Sequence, residues 1–555
     1  MSSGARERTE SAETDVDAVV VGAGFSGMYM LHRLRERGLS VQAFEKADEV
    51  GGTWYWNQYP GARCDSESHI YCYSFDDEML EEWEFSERYP EQPEILEYLK
   101  HTADKLDLRR DIRFDTAVES ATYDGTANTW TVETADGQQV TAQFFISAVG
   151  CLSEPYRPDF GGLESYEGDW YHTARWPGDL DLSGDHVGVI GTGSTGIQFI
   201  SENAARCEHM TVFQRTPNYA VPAQNRPISK EEYEEIRDNY DEIWADARDS
   251  RLGMPFDHDH YSAAGLSETE IRETLEERWE KGGFRFLHAF EPAHILTNRE
   301  VNETVSEFIR EKIRAKVDDP ETAETLVPTD HPYGAKRPPM DYNDYYGTYN
   351  RDNVSLVDVS EDGQPIEGFT TAGIRTAAAE YDLDMVVFAT GFDAMTGAIL
   401  AMDIEGRDDR RLNGKWADGP LTYLGLMSRG FPNMFTITGP QSPSVLTNMP
   451  MSIEQHVEWI DDCIAYMDAE GYDRIEPTEE AEQRWVSNTN MLASNMLFSD
   501  ADSWYRGENV PGKPSIFTPF PGGLDQYREI CDRVARDDYD GFELERGTAA
   551  PTAGQ

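Results

Sequence analysis

The apolar positions of the chain follow a strand–turn–helix–strand pattern that occurs twice. In the first copy an apolar run at Val16–Val21 predicts a buried strand, and it leads into the glycine-rich turn 22–27. An amphipathic helix follows and stops at Gly38, and a second strand is predicted over 39–44. A strand, a glycine turn and a helix in this order are typical of a parallel α/β domain.

The second copy begins with an apolar strand at 187–190, followed by the turn 191–196, a helix and a strand over 210–213. Each copy also has a later apolar strand that runs into a glycine, at 144–150 and at 385–391. We therefore predict an α/β protein with two Rossmann-like dinucleotide-binding domains, one nested in the other.

Charged helical patterns at 230–247 and 268–281 interrupt the second copy, and an amphipathic helix is predicted at 454–467. We expect a helical insertion in the second domain, and unstructured polar ends. The expected units are a disordered N-terminus at 1–15, a discontinuous first domain at 16–150 and 385–540, a second domain at 151–224 and 336–384, the helical insertion at 225–335, and a disordered tail at 546–555.

The charge of the chain is strongly negative. Its 555 residues include 104 Asp and Glu against 48 Lys and Arg, a formal net charge of -56, and the acids are spread along the whole chain. Such a surface repels nucleic acid and anionic membranes, so neither is an expected partner. A dispersed carboxylate surface also resembles that of proteins from salt-loving organisms, in which salt screens the self-repulsion. We expect a halophilic source.

The cysteine pattern favours a reducing, cytoplasmic setting. Six cysteines are irregularly spaced and form no C-x-x-C motif, so neither a zinc site nor any other metal site is expected. The N-terminal residues have no apolar signal-peptide core, and the apolar run 18–31 is too short to span a bilayer.

The first glycine turn has the form G-x-G-x-x-G, with Gly22, Gly24 and Gly27 at the fixed positions. A single such motif is weak, but here it lies between a predicted strand and helix, where the helix N-terminus can face a pyrophosphate. Glu45 follows 23 residues after Gly22, at the end of the second strand. A carboxylate there accepts hydrogen bonds from ribose hydroxyls, which suits FAD or NAD.

The second turn has the same form, with a different residue after its second strand. Its predicted cofactor contacts are Gly191, Gly193, Ser194, Thr195 and Gly196. Arg215 and Thr216 stand where the first copy has Glu45. Because arginine pairs bidentately with phosphate, this site is expected to prefer NADPH.

Two dinucleotide sites in one chain imply hydride transfer from a nicotinamide to a flavin. A disulfide reductase would need a close cysteine pair beside the flavin, and Cys64 and Cys72 are eight residues apart. We rank that interpretation low.

The segment from Tyr166 to Pro177 resembles the F-x-G-x-x-x-H-x-x-x-W-P fingerprint of type I Baeyer–Villiger monooxygenases. Gly168, His172 and Trp176 match it, and Tyr166 in place of Phe is the one departure. Flavin monooxygenases that oxidise nitrogen or sulfur share the paired glycine turns but generally lack the final Trp-Pro.

Further segments are similar to the same family, closest to its phenylacetone and cyclohexanone monooxygenases, over about residues 16 to 540. They contain Thr53 and Trp54 with Asp65 farther on, and Lys336 with Arg337. The resemblance implies FAD in the first domain and NADPH in the second.

The resemblance also implies the reaction: a C4a-peroxyflavin, formed from reduced FAD and O2, attacks a ketone, which rearranges to an ester or lactone. Arg337 matches the residue that stabilises the negative charge, and a permanent cation suits this role because it cannot protonate the peroxide. Asp65 matches its orienting anion. Lys336 matches the position that assists Arg215, and Trp504 the loop over the nicotinamide. His172 is expected to be a packing residue in the interdomain linker and not a catalytic acid.

Two other functions stay open: a flavin monooxygenase acting on nitrogen or sulfur, and a flavoprotein that senses redox state without turnover. The expected partners are a small-molecule ketone and O2. The pattern does not select among linear, cyclic, aromatic and steroidal ketones, and it does not indicate an oligomeric state.

Overall fold

The computed structural model describes residues 14–178, 180–256, 263, 265–287, 289–290 and 292–546. The disordered ends expected at 1–15 and 546–555 lie outside these ranges, apart from residues 14, 15 and 546. Asp15 was expected to be disordered, but it is held in place because its backbone N–H donates to Thr141 O at 3.1 Å.

The first sheet is built around Val16–Val21, which pairs in parallel with Val41–Phe44 on one side and with Gln139–Ser147 on the other. The chain leaves Val16–Val21 at the carboxyl end of this strand and of its two parallel neighbours. The turn that follows therefore lies where parallel strands bind ligands. In spatial order the strands are Asp403–Glu405, Val118–Asp124, Thr129–Thr134, Gln139–Ser147, Val16–Val21, Val41–Phe44 and Ile112–Arg113, with Met434–Thr436 beside the end of Gln139–Ser147.

The second sheet is entirely parallel, in the order Val354–Asp358, His209–Gln214, His186–Ile190, Met385–Phe388 and Asp169–His172. The domain boundary expected at 385 is therefore wrong. All four residues of Met385–Phe388 are buried between two strands of the second sheet, and so the second unit continues through them.

Smaller sheets complete the strands. They are the antiparallel set Ile366–Phe369, Gly373–Thr376 and Glu380–Asp382, the parallel pair Val221–Pro222 and Met340–Asp341, and the antiparallel pair Arg474–Pro477 and Phe542–Glu545.

The α-helices of the described residues surround both sheets and fill the segment between the two parts of the second unit. They are Phe25–Glu36, Thr53–Trp56, Asp77–Glu82, Gln92–Lys105, Ser194–Asn203, Lys230–Asp238, Tyr240–Asp249, Glu268–Lys281, Phe284–Leu287, Pro292–Thr297, Arg299–Lys316, Pro320–Leu326, Tyr345–Thr348, Gly397–Leu400, Leu412–Lys415, Met449–Glu470, Glu479–Ser494 and Leu524–Arg536.

The single helix expected over 230–247 is two helices that meet at Asn239. Asn239 has φ -119° and ψ 12°, and its side-chain amide donates to Glu235 O at 2.7 Å. Asparagine competes with the helix in this way by bonding to nearby backbone groups. The helix expected at 454–467 is longer, Met449–Glu470, and ends at Gly471 in the left-handed conformation.

The main core lies between the first sheet and the helices on its face. Met28, Leu31 and Leu34 of Phe25–Glu36 are buried there, together with Val457 and Ile460 of Met449–Glu470. This packing fixes the helix that begins at the first glycine turn.

Candidate active site

The first glycine turn is shaped by close backbone contacts. Gly22 has φ +105°, and a Cβ there would lie 2.5 Å from Ala148 O; a Cβ at Gly27 would lie 1.8 Å from Gly22 O. Gly24 precedes the helix and offers no capping side chain, so the helix N-terminus is open to an anion. The geometry fits a pyrophosphate.

Glu45 ends the second strand and points back at the turn. Its two oxygens accept the N–H groups of Ala23, at 2.8 Å, and of Ala47, at 2.9 Å. Burial raises the pKa of this carboxyl group. Carboxylate oxygens have further lone pairs, so Glu45 can also accept from ribose hydroxyls.

The second glycine turn repeats this geometry. Gly191 has φ +110°, and a Cβ at Gly196 would lie 2.1 Å from Gly191 O. Gly193 again precedes a helix, Ser194–Asn203, without a capping side chain. The two turns are therefore matched anion sites.

Beyond the second turn, Arg215 and Lys336 face the same space. Neither forms an ion pair with another residue of the described ranges. Burial lowers the pKa of the Lys336 ammonium group, and the charge of Arg215 adds to this effect. Two cations without a carboxylate partner fit the 2′-phosphate of NADPH.

A cavity of about 680 Å³ connects the second turn with Arg337, a size common for cofactor and ligand sites. The predicted site residues that line it are Thr53, Trp54, Asp65, Gly191, Gly193, Ser194, Thr195, Arg215, Thr216, Lys336, Arg337 and Trp504. Gly22, Gly24, Gly27, Glu45 and Gly196 are not among its lining residues.

Arg337 and Asp65 form the ion pair that the family resemblance implies. Nε of Arg337 donates to Asp65 Oδ2 at 2.9 Å, Nη2 donates to the same carboxylate, and Nη1 donates to Val445 O at 2.7 Å. Burial alone would lower the pKa of Arg337, but Asp65 and Tyr505 raise it above its ordinary value. The guanidinium group is a fixed positive charge, 22% exposed, at the cavity wall.

The fingerprint residues hold the second unit together and do not line the cavity. Tyr166 donates its hydroxyl to Leu383 O at 2.9 Å, and a Cβ at Gly168 would meet that hydroxyl. The ring of Trp176 packs on Phe199, and Pro177 is exposed.

His172 of the fingerprint is buried and neutral. Its Nε2–H points to Tyr156 O at 3.3 Å, and its Nδ1 accepts the N–H of Ala174 at 3.1 Å. Burial lowers its pKa to about 4. The imidazole is a packing and capping group, and it is unsuited to acid catalysis near neutral pH.

The loop that carries Trp504 is docked on the second unit. Asn509 donates to Phe392 O at 2.8 Å, and Lys513 contacts Asp393 and donates to Ala394 O at 2.8 Å. Trp504 starts a short 3-10 helix, Trp504–Arg506, at the cavity wall.

Sequence reasoning missed three neighbours of Arg337. They are Val445, which accepts its hydrogen bond, Phe284, whose ring lies 5.6 Å from the guanidinium carbon, and buried Tyr505. Tyr505 follows the predicted loop tryptophan and could have been found from it. The other two lie in segments whose apolar pattern is ordinary.

Within the described ranges, no three His, Cys, Asp or Glu side chains are grouped as a metal ion would require, and no helix is long and apolar enough to cross a membrane. The six cysteines are buried free thiols, and burial raises the pKa of Cys64 and Cys72. They do not form the disulfide pair of a reductase.

Two dinucleotide folds, one with a carboxylate for ribose and one with cations for phosphate, define an oxidoreductase that uses a flavin and NADP. Residues 16–225 match the model of the flavin-binding monooxygenase-like family. The phenazine N-monooxygenase PhzNO1 of Lysobacter antibioticus is 45% identical, over 96% of this chain and 98% of the relative. A Baeyer–Villiger monooxygenase of Pseudooceanicola batsensis is 43% identical, over 96% and 97%.

The solved structures agree. An oxidised steroid monooxygenase bound to NADP has 51% identity and a TM-score of 0.91, with 96% of this chain and 100% of that chain covered. The chain belongs to the flavin-binding monooxygenases of the Baeyer–Villiger family. The predicted family, the two-Rossmann fold and the cofactors FAD and NADP are thereby confirmed; the halophilic source stays a prediction.

Proposed function

We propose that the chain uses NADPH and O2 to convert a ketone into an ester or lactone. The single observation that carries the proposal is the Arg337–Asp65 pair at the wall of the cavity shared with the second glycine turn. A monooxygenase that oxidises nitrogen or sulfur is not favoured, because that reaction has no carbonyl group whose developing negative charge a fixed cation would stabilise.

The residues assign a place to each cofactor. Gly22, Gly24, Gly27 and Glu45, with Thr53 and Trp54, would hold FAD; Gly191, Gly193, Ser194, Thr195 and Gly196, with Arg215, Thr216, Lys336 and Trp504, would hold NADPH. When bound, NADPH supplies hydride and the flavin supplies activated oxygen. The matched turns and the buried Glu45 support this assignment, as do Arg215 and Lys336, which form no ion pair within the described ranges.

Arg337 would stabilise the negative charge that develops on the carbonyl oxygen of the ketone as it reacts. Its proton stays in place because its pKa is raised above an already high value, so it donates hydrogen bonds without acting as an acid. Asp65 and Val445 O occupy three of its N–H groups and fix the plane of the guanidinium. The Tyr505 hydroxyl forms a further hydrogen bond with the guanidinium, and an N–H group that is then left can face the substrate.

The docked loop excludes water from this charge. Trp504 and Asn509 line the cavity, and the contacts of Asn509 and Lys513 with residues 392–394 hold the loop over it. A drier site strengthens the interaction between Arg337 and a developing negative charge.

A product screen tests the proposal. Purified protein is incubated in buffered salt with NADPH, air and a panel of linear, cyclic, aromatic and steroidal ketones, and products are identified by mass spectrometry while hydrogen peroxide is measured in parallel. Esters or lactones are expected from at least one class. Peroxide alone across the panel contradicts the proposal.

A cytoplasmic location is part of the same proposal, and the six buried free thiols support it.

A further inference from the structure

A buried carboxylate lies two residues after Asp65. The side chain of Glu67 is 4% exposed; Arg88 Nη2 donates to Oε1 at 2.7 Å, and Arg285 donates to Oε1 through Nε at 2.9 Å and to Oε2 through Nη2 at 3.2 Å. Burial alone would raise the pKa of Glu67, but the two arginines and His69 lower it to about 2. The group is therefore charged at any working pH.

Two glycines bring Arg285 to this carboxylate. Gly282 and Gly283 have φ +67° and +57°, and they end helix Glu268–Lys281 with left-handed turns. A Cβ at Gly283 would lie 1.9 Å from the hydroxyl of Tyr89, so only glycine allows the backbone to lie this close to Tyr89. Arg285 lies in the next helix, Phe284–Leu287.

Arg88 makes a second connection across the same gap. Its Nη1 donates to Lys281 O at 2.9 Å while its Nη2 contacts Glu67. The loop after Asp65 is thus bound to the helical segment through both arginines. The side chains of Glu67 and Arg88 are 4% and 11% exposed, and that of Arg285 is 33% exposed.

The two elements joined by this cluster both contact Arg337. Asp65, two residues before Glu67, accepts hydrogen bonds from the guanidinium group. Phe284, adjacent to Arg285, places its ring 5.6 Å from the guanidinium carbon. An arginine beside an aromatic ring and a carboxylate has little freedom to move.

We propose that Glu67 and Arg285 are positioning residues for Arg337: their ion pair holds the Asp65 loop and the Phe284 helix at a fixed separation around the guanidinium group. Without Arg285 the Phe284 helix loses both of its hydrogen bonds to Glu67, so this ion pair no longer fixes the position of the helix relative to the Asp65 loop. The expected effect on ketone oxidation rests on the proposed function. The expected effect on the positions of Phe284 and Arg337 does not.

The variant Arg285→Gln tests the inference, because it removes the ion pair between Arg285 and Glu67 and leaves Glu67 paired with Arg88. Its matched control is Lys415→Gln: Lys415 Nζ lies 2.7 Å from both oxygens of Glu482, and the two side chains are 7% and 5% exposed. The control pair is more deeply buried than Arg285–Glu67, whose side chains are 33% and 4% exposed. It belongs to the first unit and does not line the cavity.

The readout is the partition of consumed NADPH between ester and hydrogen peroxide. For Arg285→Gln the NADPH consumption is expected to stay within about threefold of wild type while the ester fraction falls by roughly tenfold or more, since a misplaced donor loses its effect on the reacting oxygen. The partition of Lys415→Gln is expected to stay that of the wild type. An unchanged partition in Arg285→Gln, or an equal loss in Lys415→Gln, overturns the proposal.

Arg285→Lys gives a milder change, since it keeps a positive charge beside Glu67. Its ester fraction is expected to lie between those of wild type and Arg285→Gln, and a loss equal to that of Arg285→Gln contradicts an ion-pair role.

A second readout does not need a substrate. Crystal structures of wild type and Arg285→Gln are expected to show Phe284 and the Arg337 guanidinium displaced in the variant. An identical arrangement overturns the inference even if esters form. If wild type forms no ester from any ketone, the proposed function fails, and this comparison still decides the positioning role.

Discussion

Replacing Arg337 by lysine keeps a positive charge but removes the planar fork that fixes it. Three nitrogens of Arg337 donate: two to Asp65 and one to Val445 O at 2.7 Å. A lysine ammonium on a shorter, flexible stem can replace one of these contacts. At least two charge-assisted hydrogen bonds are lost, each contributing about 1.5–3 kcal/mol.

The consequence for catalysis follows from the lost orientation. Removing one fixed donor from a charge-stabilising site costs about 3–4 kcal/mol in the transition state, or roughly 10²–10³ in kcat. We expect Arg337→Lys to oxidise NADPH at a rate within about tenfold of wild type while ester formation falls by about 10²-fold or more.

The assay follows three quantities in one reaction: NADPH by absorbance, peroxide by a coupled enzyme, and ester by gas chromatography. Asp65→Asn serves as the partner variant, because it keeps the shape of the carboxylate and removes its charge. Arg337→Lys with ester formation within threefold of wild type refutes the reasoning, since a mobile ammonium group would then serve as well as the fixed guanidinium.

Further predictions concern the cofactor sites, the packing histidine and the charged surface. Arg215→Ala is expected to raise the KM for NADPH about 10–100-fold and leave that for NADH nearly unchanged, because only NADPH has the 2′-phosphate; equal effects on both contradict the assignment. Gly27→Val is expected to yield protein without the flavin absorbance band, because its side chain collides with Gly22 O; retention of FAD contradicts it. His172 has a pKa of about 4 in the folded protein, against 6.5 in the unfolded chain, so the unfolded state binds more protons between these two pH values. The free energy of unfolding is therefore expected to fall by roughly 3 kcal/mol as the pH falls from 6.5 to 4. Chemical denaturation of wild type and His172→Gln across this range should show the smaller pH dependence in the variant. The chain has a net charge of -56, and salt screens the repulsion between its like charges, so the melting temperature is expected to rise between low and molar KCl. An unchanged melting temperature argues against a salt-adapted surface.

Much of the fold could be predicted from the sequence, because two strong local signals coincide. Val16–Val21 is found with the predicted bounds, and Met385–Phe388 lies within the predicted run 385–391, since continuous apolar runs next to glycine turns have few other structures. The sheet to which Met385–Phe388 belongs could not be read from the run itself. Its pairing depends on residues some 200 positions away, around His186–Ile190.

Glu45 and Arg215 were found through residue type at a fixed distance from each glycine turn, and Arg337 was found through the resemblance to the Baeyer–Villiger family. The contacts of Arg337 with Phe284 and Val445 were not predicted, because tertiary packing brings these residues together from distant parts of the sequence. Glu67 and Arg285 likewise are ordinary charges in the sequence, and they become a buried pair only when Gly282 and Gly283 turn the chain. Local periodicity does not predict contacts between residues that are distant in the sequence.

The most direct test of the proposed function is the source of the inserted oxygen. Wild-type protein, NADPH and a ketone that is turned over are incubated under ¹⁸O₂ in unlabelled water, and the ester is analysed by mass spectrometry. The account predicts one ¹⁸O atom per ester, in the alkoxy position, with one NADPH consumed per ester formed. An ester without the label, or label at the carbonyl oxygen alone, contradicts it.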